Sequence, residues 1–212
     1  MNRRFDSPLL WGAHSPLSAL TGTALVIMAS GRFAYALICS CALIWVYGLS
    51  ALIFSNARAI LPGRGSMVVL LFLSSFLCGI FMLLVSLLNP LLILGMGFLL
   101  ILVPACCLGS GFFEASKSEY PFEVFSRALL EAIVLGAIIL GFALIREPLG
   151  MGTLSFPGGA QGIVELFNSH EADPVPLVRI LSVSAGGLLL LGYGIALFRY
   201  FRERIGSVPG EE

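Results

Sequence analysis

The sequence predicts an all-α polytopic membrane protein with six transmembrane helices, arranged as a 3+3 inverted repeat in which helices one and four are short. Two observations carry the class. Every position from 65 to 113, 49 residues in all, lacks a charged side chain, and about 20 helical residues already cross a hydrocarbon core of roughly 30 Å. The composition agrees, because 58% of the residues are hydrophobic and 11% charged, with a mean hydropathy of +0.99, far from the soluble balance of about 25% charged residues. A third observation, the shortness and interruption of two corresponding apolar runs, carries the repeat.

The elements follow from the apolar runs and their breakers. Met1 to Pro16 holds Arg3, Arg4 and Asp6 without an apolar core and small-residue cleavage site, so it does not read as a signal peptide. A short first helix runs from Leu17 to Gly31 and a second from Phe33 to Phe54. Pro62-Gly63 and Gly65 make a polar turn carrying Arg58 and Arg64. The third span, Met67 to Leu88, and the fourth, Leu91 to Leu108, meet at Asn89-Pro90, where a turn is needed. A polar loop with Glu114, Lys117, Glu119 and Glu123 precedes the fifth span, Phe125 to Ile145, which Arg146-Glu147-Pro148 should stop. The sixth runs from Ile180 to Phe198. Residues 1–212 therefore form one membrane domain, its first half about 15–88 and its second about 91–200.

Segments one and four each open a group of three helices, and both are unusual. The first is about 15 residues long, with Gly22 between Thr21 and Thr23; the fourth is about 18, with Pro104, Gly95 and Gly97. Short, Gly- or Pro-interrupted segments at matching places in two halves point to a functional midplane, although both residues are also common in membrane helices generally. Positive charge sets the orientation. With the N-terminus inside, the cytoplasmic side holds Arg3, Arg4, Arg58, Arg64, Lys117, Arg127, Arg199, Arg202 and Arg204, against Arg32, Arg146 and Arg179 outside. Nine against three puts both termini in the cytoplasm and the long 146 to 179 connection outside a cytoplasmic (inner) membrane.

Small residues at fourfold spacing, Ala128, Ala132 and Gly136 in helix five and Ser182 and Gly186 in helix six, let helix backbones approach closely in lipid. Arg127 and Glu131, four apart, can pair on one helix face; a structural pair near the headgroups is the simpler reading, while an ionisable group inside a span is also a functional candidate. Zero net charge gives no electrostatic case for nucleic acid. Cys39, Cys41, Cys78, Cys106 and Cys107 include no Cys-x-x-Cys, and all lie in expected spans, where a thiol behaves as a small hydrophobe. His14 and His170 fall outside the spans, which argues against a bis-histidine haem. No dinucleotide fingerprint, P-loop or hydrolase elbow is present, so no catalytic residue is assigned.

The stretch Ile-Arg-Glu-Pro-Leu-Gly-Met-Gly-Thr-Leu from Ile145 to Leu154 closely resembles the Arg-Glu-Leu-x-Gly-x-Gly-Thr-Leu segment after helix five in the integral membrane subunits of the Rnf and Nqr ion-pumping complexes, particularly the Rnf E and Nqr D type. Ser15-Pro16 through Gly22, and Ser30-Gly31-Arg32, resemble that family's first half-helix. Gly109 through Ser118 resembles the segment after its fourth helix. The resemblance covers most of the chain in helix number and order, but only Arg146 to Leu154 is specific. It implies an inverted repeat, a related six-helix partner subunit of opposite topology, flavin and iron-sulfur protein partners, and a non-catalytic role supporting transmembrane electron transfer coupled to Na⁺ or H⁺ movement. It also implies that each of the two related subunits gives one Cys from helix one and one from helix four to a shared [2Fe-2S] cluster, four thiolates in all. This chain departs from that pattern. Aligned on Gly22 the helix-one Cys position falls on Ala24, and aligned on Gly109 the helix-four position falls on Ala105, with Cys106 one residue away as the sole candidate ligand. The motif residues Arg146, Glu147, Gly150 and Gly152 are the other expected site positions, and Val at either glycine is expected to disrupt assembly. Six spans in about 200 residues equally suit a vitamin-type small-molecule transporter component, which gives no reason to expect the Arg146-Glu147 motif; a structural scaffold is the third class.

Overall fold

A computed structural model describes residues 20–57, 65–109, 121–158, 162–168 and 179–206. The N-terminal segment, the Pro62-Gly63 turn, the polar loop at Glu114, Lys117 and Glu119, and His170 lie outside the described residues. Helix α1 (Leu20–Ala29) is followed by α2 (Phe33–Ala57), α3 (Ser66–Leu88), α4 (Pro90–Leu108) and α5 (Pro121–Met151). Strands β1 (Thr153–Pro157) and β2 (Ile163–Asn168), a 3₁₀ turn (Arg179–Ser182) and α6 (Ser184–Gly206) complete the order. The four helices α2 to α5 are long and apolar enough to cross a membrane. This is a mostly helical, multi-pass membrane protein whose surroundings are a lipid bilayer. The described part of α1, ten residues from Leu20, rises about 15 Å, and among the described residues the apolar part of α6 is Ser184–Leu197.

Helix α2 sits at the centre. Its buried positions include Ala34, Ala36, Cys39, Ser40, Ala42, Gly48, Ser50 and Ala51, small side chains that let neighbouring backbones come close where lipid supplies no hydrophobic drive between helices. Helix α5 takes the largest share of that surface. A Cβ on Gly136 would stand 3.2 Å from the Ser40 Cβ, and one on Gly48 would stand 3.6 Å from the Phe125 ring. The Ser40 hydroxyl lies 2.7 Å from the carbonyl of Ala36 and 3.2 Å from that of Gly136, within donating distance of both. The Ala128, Ala132, Gly136 stripe thus marks an internal interface. Ser182 and Gly186, by contrast, belong to different elements, the 3₁₀ turn and α6, separated by Val183.

Helices α3 and α4 form a hairpin around Asn89, an extended residue (φ −155°, ψ 93°) that ends one helix and opens the next. Pro90 follows at the first helical position, where its missing N–H costs nothing. The Cys78 thiol donates to the Leu100 carbonyl across the pair at 3.1 Å. Their outward faces expose Phe72, Phe76, Leu83, Leu87, Leu94 and Phe98, as expected of surfaces bathed in acyl chains.

Two differences from the sequence expectation lie in the second half. Helix α5 does not stop at Arg146-Glu147-Pro148 but runs six residues past the end expected at Ile145, to Met151, since Pro148 sits near the helix end and the two charges are satisfied by distant segments. It ends at Gly152, whose φ of 68° is left-handed and whose N–H reaches the Pro148 carbonyl at 3.0 Å, a glycine C-cap. The fold is also not purely helical. β1 and β2 pair antiparallel with an irregularity between Leu154 and Ser155, and Gly162 (φ 87°) closes the hairpin, accepting the Gly158 N–H at 3.1 Å. A Cβ on Gly162 would lie 3.3 Å from the Leu92 nitrogen, so the start of β2 at Gly162 rests on the α3–α4 turn. The hairpin, that turn, the α1–α2 turn and the end of α5 therefore gather at one pole of the bundle.

Candidate functional site: a buried Arg-Glu clamp at the hairpin pole

The buried face of α5 runs through Val124, Ala128, Ala132, Leu135, Ile139 and Ala143, and continues into Arg146, Glu147 and Gly150. Arg146 is 4% exposed and Glu147 1%. Buried charges on this scale stand only when paired or fully hydrogen-bonded.

Arg146 meets that condition with backbone. Its Nε donates to the Leu181 carbonyl at 2.7 Å, Nη1 to the Ile27 carbonyl at 2.6 Å and to Ser30 Oγ at 3.1 Å, and Nη2 to the carbonyls of Val183 at 3.0 Å and Ser182 at 3.4 Å. A guanidinium has five N–H donors, and here all five are used. The Ile27 carbonyl is one of the last four of α1, which have no partner inside the helix, and a cation there also complements the negative end of the helix dipole. Ser30 lies in the α1–α2 turn, and the remaining acceptors belong to the 3₁₀ turn and to Val183 just before α6. One side chain therefore ties three segments together.

The cradle depends on missing side chains. A Cβ on Gly187 would stand 3.0 Å from the guanidinium carbon, one on Gly150 would stand 2.9 Å from the Ser182 nitrogen, and one on Gly186 would collide with the Ile180 carbonyl. The 3₁₀ backbone can lie this close to α5 only because Gly150 is bare.

Glu147 serves the next helix. Its Oε2 accepts the Phe33 N–H at 2.6 Å, and Ser155 Oγ accepts the Ala34 N–H at 3.4 Å. These are the first two amide groups of α2, where the dipole is positive and an anion is stabilising. The Phe33 and Phe156 rings pack beside them, centroids 5.1 Å apart. The α1–α2 turn, Ser30 to Arg32, is thus held by a cation on the carbonyl end of one helix and an anion on the amide end of the next.

The structure brings Arg146, Glu147 and Gly150 into this clamp, with Gly152 capping the helix that carries them. Gly22 is buried near the other end of α1. Ala24 and Ala105 are half-buried on α1 and α4, which pack against each other. Cys106 is buried in the core that also holds Cys39, Cys78 and Cys107, none of the five cysteines is in a disulfide, and Cys41 is exposed. Alanine has no ligating atom, and among the described residues no group of three or more His, Cys, Asp or Glu is arranged to hold a metal. Ala24 and Ala105 therefore do not fit this chain's two-thiolate share of such a shared cluster. The clamp itself offers no nucleophile or proton-transfer pair to a cavity; what it does is fix α1 and α6 against α5. Sequence reasoning missed Ser155, Gly187 and the 3₁₀ carbonyls as its partners.

Two further features lie outside the clamp. Arg127 Nε lies 3.7 Å from Glu131 Oε1, with side-chain exposures of 38% and 3%. A cavity of about 500 Å³ opens beneath the hairpin between α2, α3 and α4, lined mainly by apolar side chains such as Ile38, Phe81, Val85 and Leu92, with Cys41 and Asn89. No protein-family model matches this chain, and comparison with curated proteins gives no match.

Proposed function

We propose that the chain is a membrane subunit of an ion-translocating electron-transport complex of the Rnf/Nqr type, of the Rnf E or Nqr D kind, supporting transmembrane electron transfer coupled to Na⁺ or H⁺ movement without itself being catalytic. The observation that carries the reading is the coincidence of the most specific resemblance, Arg146 to Leu154, with the clamp that organises one pole of the bundle. A short α1 lying against the Pro-interrupted α4 also suits the six-span, 3+3 inverted-repeat arrangement of that family. In this reading the partners are a related six-helix subunit of opposite topology together with flavin and iron-sulfur proteins, both termini are cytoplasmic, and the role of the chain is positional, since Ala24 and Ala105 take the places of the family's ligands.

A vitamin-type transporter component is the second reading, favoured by the lateral cavity under the hairpin. Purification in mild detergent separates the two. The complex reading expects flavin and iron-sulfur subunits to copurify, whereas a bound small molecule with no redox partner would replace it with the transporter. Orientation has its own test: a reporter at Gly210 should be cytoplasmic and one at Gly159 external, and a cytoplasmic Gly159 reporter reverses the topology.

A further inference from the structure

The cavity beneath the hairpin, about 500 Å³ in volume, lies at one depth on two helices. On its wall, Cys41 stands eight residues into α2 from Phe33, and Phe81 stands eight residues before Asn89, which ends α3. At 1.5 Å per residue both lie about 12 Å below the pole. One leaflet of a hydrocarbon core is about 15 Å deep, half of roughly 30 Å, so the cavity occupies the leaflet next to the hairpin. Its upper end has Asn89 with Pro157 and Gly158 of the hairpin; Val85, Ile38 and Phe81 line it below. Trp45, one turn beyond Cys41, brings its ring to 6.5 Å from that of Phe81 and bridges α2 to α3 at the deep end. Cys41 and Leu88, both on the wall, are exposed. The cavity is therefore continuous with the lipid-facing surface that carries Leu84 and Leu87.

The chemistry of the wall selects its occupant. Water needs about two to four polar partners, and this wall supplies few: Pro157 has no N–H, and the Gly158 N–H is committed to the Gly162 carbonyl at 3.1 Å. A polar small molecule would bury hydrogen-bonding groups against hydrocarbon, at a cost. A hydrocarbon chain has no such groups, and it supplies dispersion contacts along the whole wall. The gradient from a polar roof to an aromatic floor also matches an amphiphile standing upright in one leaflet. We propose that the cavity is a lateral lipid site: one acyl chain of a bilayer phospholipid enters between α2 and α3, reaches toward Phe81 and Trp45, and keeps its ester end beneath the hairpin. The lipid thereby props the hairpin over the α3–α4 turn. This inference rests on neither functional reading above, and it assigns the cavity to the bilayer rather than to a transported molecule.

The test is native mass spectrometry of the full-length protein after extensive detergent washing, which should show one phospholipid retained per protein molecule. Cys41→Trp and Val85→Phe, which fill the cavity, should lose it. Leu94→Trp, on the outward face where Leu94 is 83% exposed, should keep it. A second readout needs no variant, because Cys41 is exposed and the other four cysteines are buried. Alkylation of Cys41 by a small apolar maleimide should be fast in lipid-stripped protein and slow once phosphatidylethanolamine is added back. Retention unchanged in both filled variants overturns the proposal. So does a Cys41 reactivity indifferent to added lipid, the result expected if another part of this chain fills the cavity. Recovery of a free fatty acid or of a polar small molecule in place of the phospholipid overturns it too, and the polar molecule would instead favour the transporter reading.

Discussion

Helix α5 carries two Arg/Glu pairs, and they behave differently because of their spacing. Arg127 and Glu131, four apart, lie on one face of the helix as an ion pair at 3.7 Å. Arg146 and Glu147 are neighbours in sequence, so their side chains diverge and cannot serve one another as partners. Each must find its own, and each finds the helix end whose dipole suits its sign: the Ile27 carbonyl of α1 for the arginine, the first amide of α2 for the glutamate. A pair spaced by a turn decorates a helix, while an adjacent pair can join two others.

The largest test of this contrast is Arg146→Met, which keeps the stem but leaves up to five acceptors without donors. Each buried acceptor left unsatisfied costs about 1–3 kcal/mol, so thermal stability in detergent should drop sharply, with α1 becoming accessible to labelling. Arg146→Lys should recover only part of the loss, because an ammonium has three donors and no planar fork; full recovery would mean that charge alone matters. Gly150→Ala should cost about 1–3 kcal/mol through overpacking against the 3₁₀ backbone, measured by denaturation. Glu147→Ala removes a cap of α2 and should cost about 1–2 kcal/mol, with Glu147→Gln milder because an acceptor remains. Smallest is Arg127→Gln, about 0.5 kcal/mol for an ion pair whose cation is partly exposed. A stability loss at Arg127 equal to that at Arg146 would erase the distinction.

Much of the helical framework was legible because lipid imposes long apolar runs. Helices α2, α3 and α4 begin and end within three residues of the bounds expected from Phe33 to Phe54, Met67 to Leu88 and Leu91 to Leu108. The Asn89-Pro90 turn was legible for the same reason, together with the backbone restriction of proline. The end of α5 was not, because Arg-Glu-Pro reads as a stop when its partners are unseen; those partners lie more than 110 residues upstream at Ile27 and Phe33, and more than 30 downstream at Leu181 to Val183. The hairpin escaped notice because its inward positions are Thr153 and Ser155, which bury polar atoms against helix termini and so invert the usual apolar-in alternation. In the site, the motif residues were visible as a pattern, and Gly150 and Gly152 as positions of backbone constraint. That the pattern forms a clamp could not be read, since hydrogen bonds to backbone carbonyls leave no mark on the sequence that supplies them.

The bond from Arg146 to Ile27 spans 119 positions in the chain. Ribosomes add roughly 5–20 residues per second, so about 6 to 24 seconds separate the synthesis of the two ends. During that interval α1 has left the ribosome without the side chain that later holds its Ile27 carbonyl. Its final seating is therefore a late event in biogenesis, and a nascent chain arrested before residue 146 should display an N-terminal segment still open to insertases and proteases.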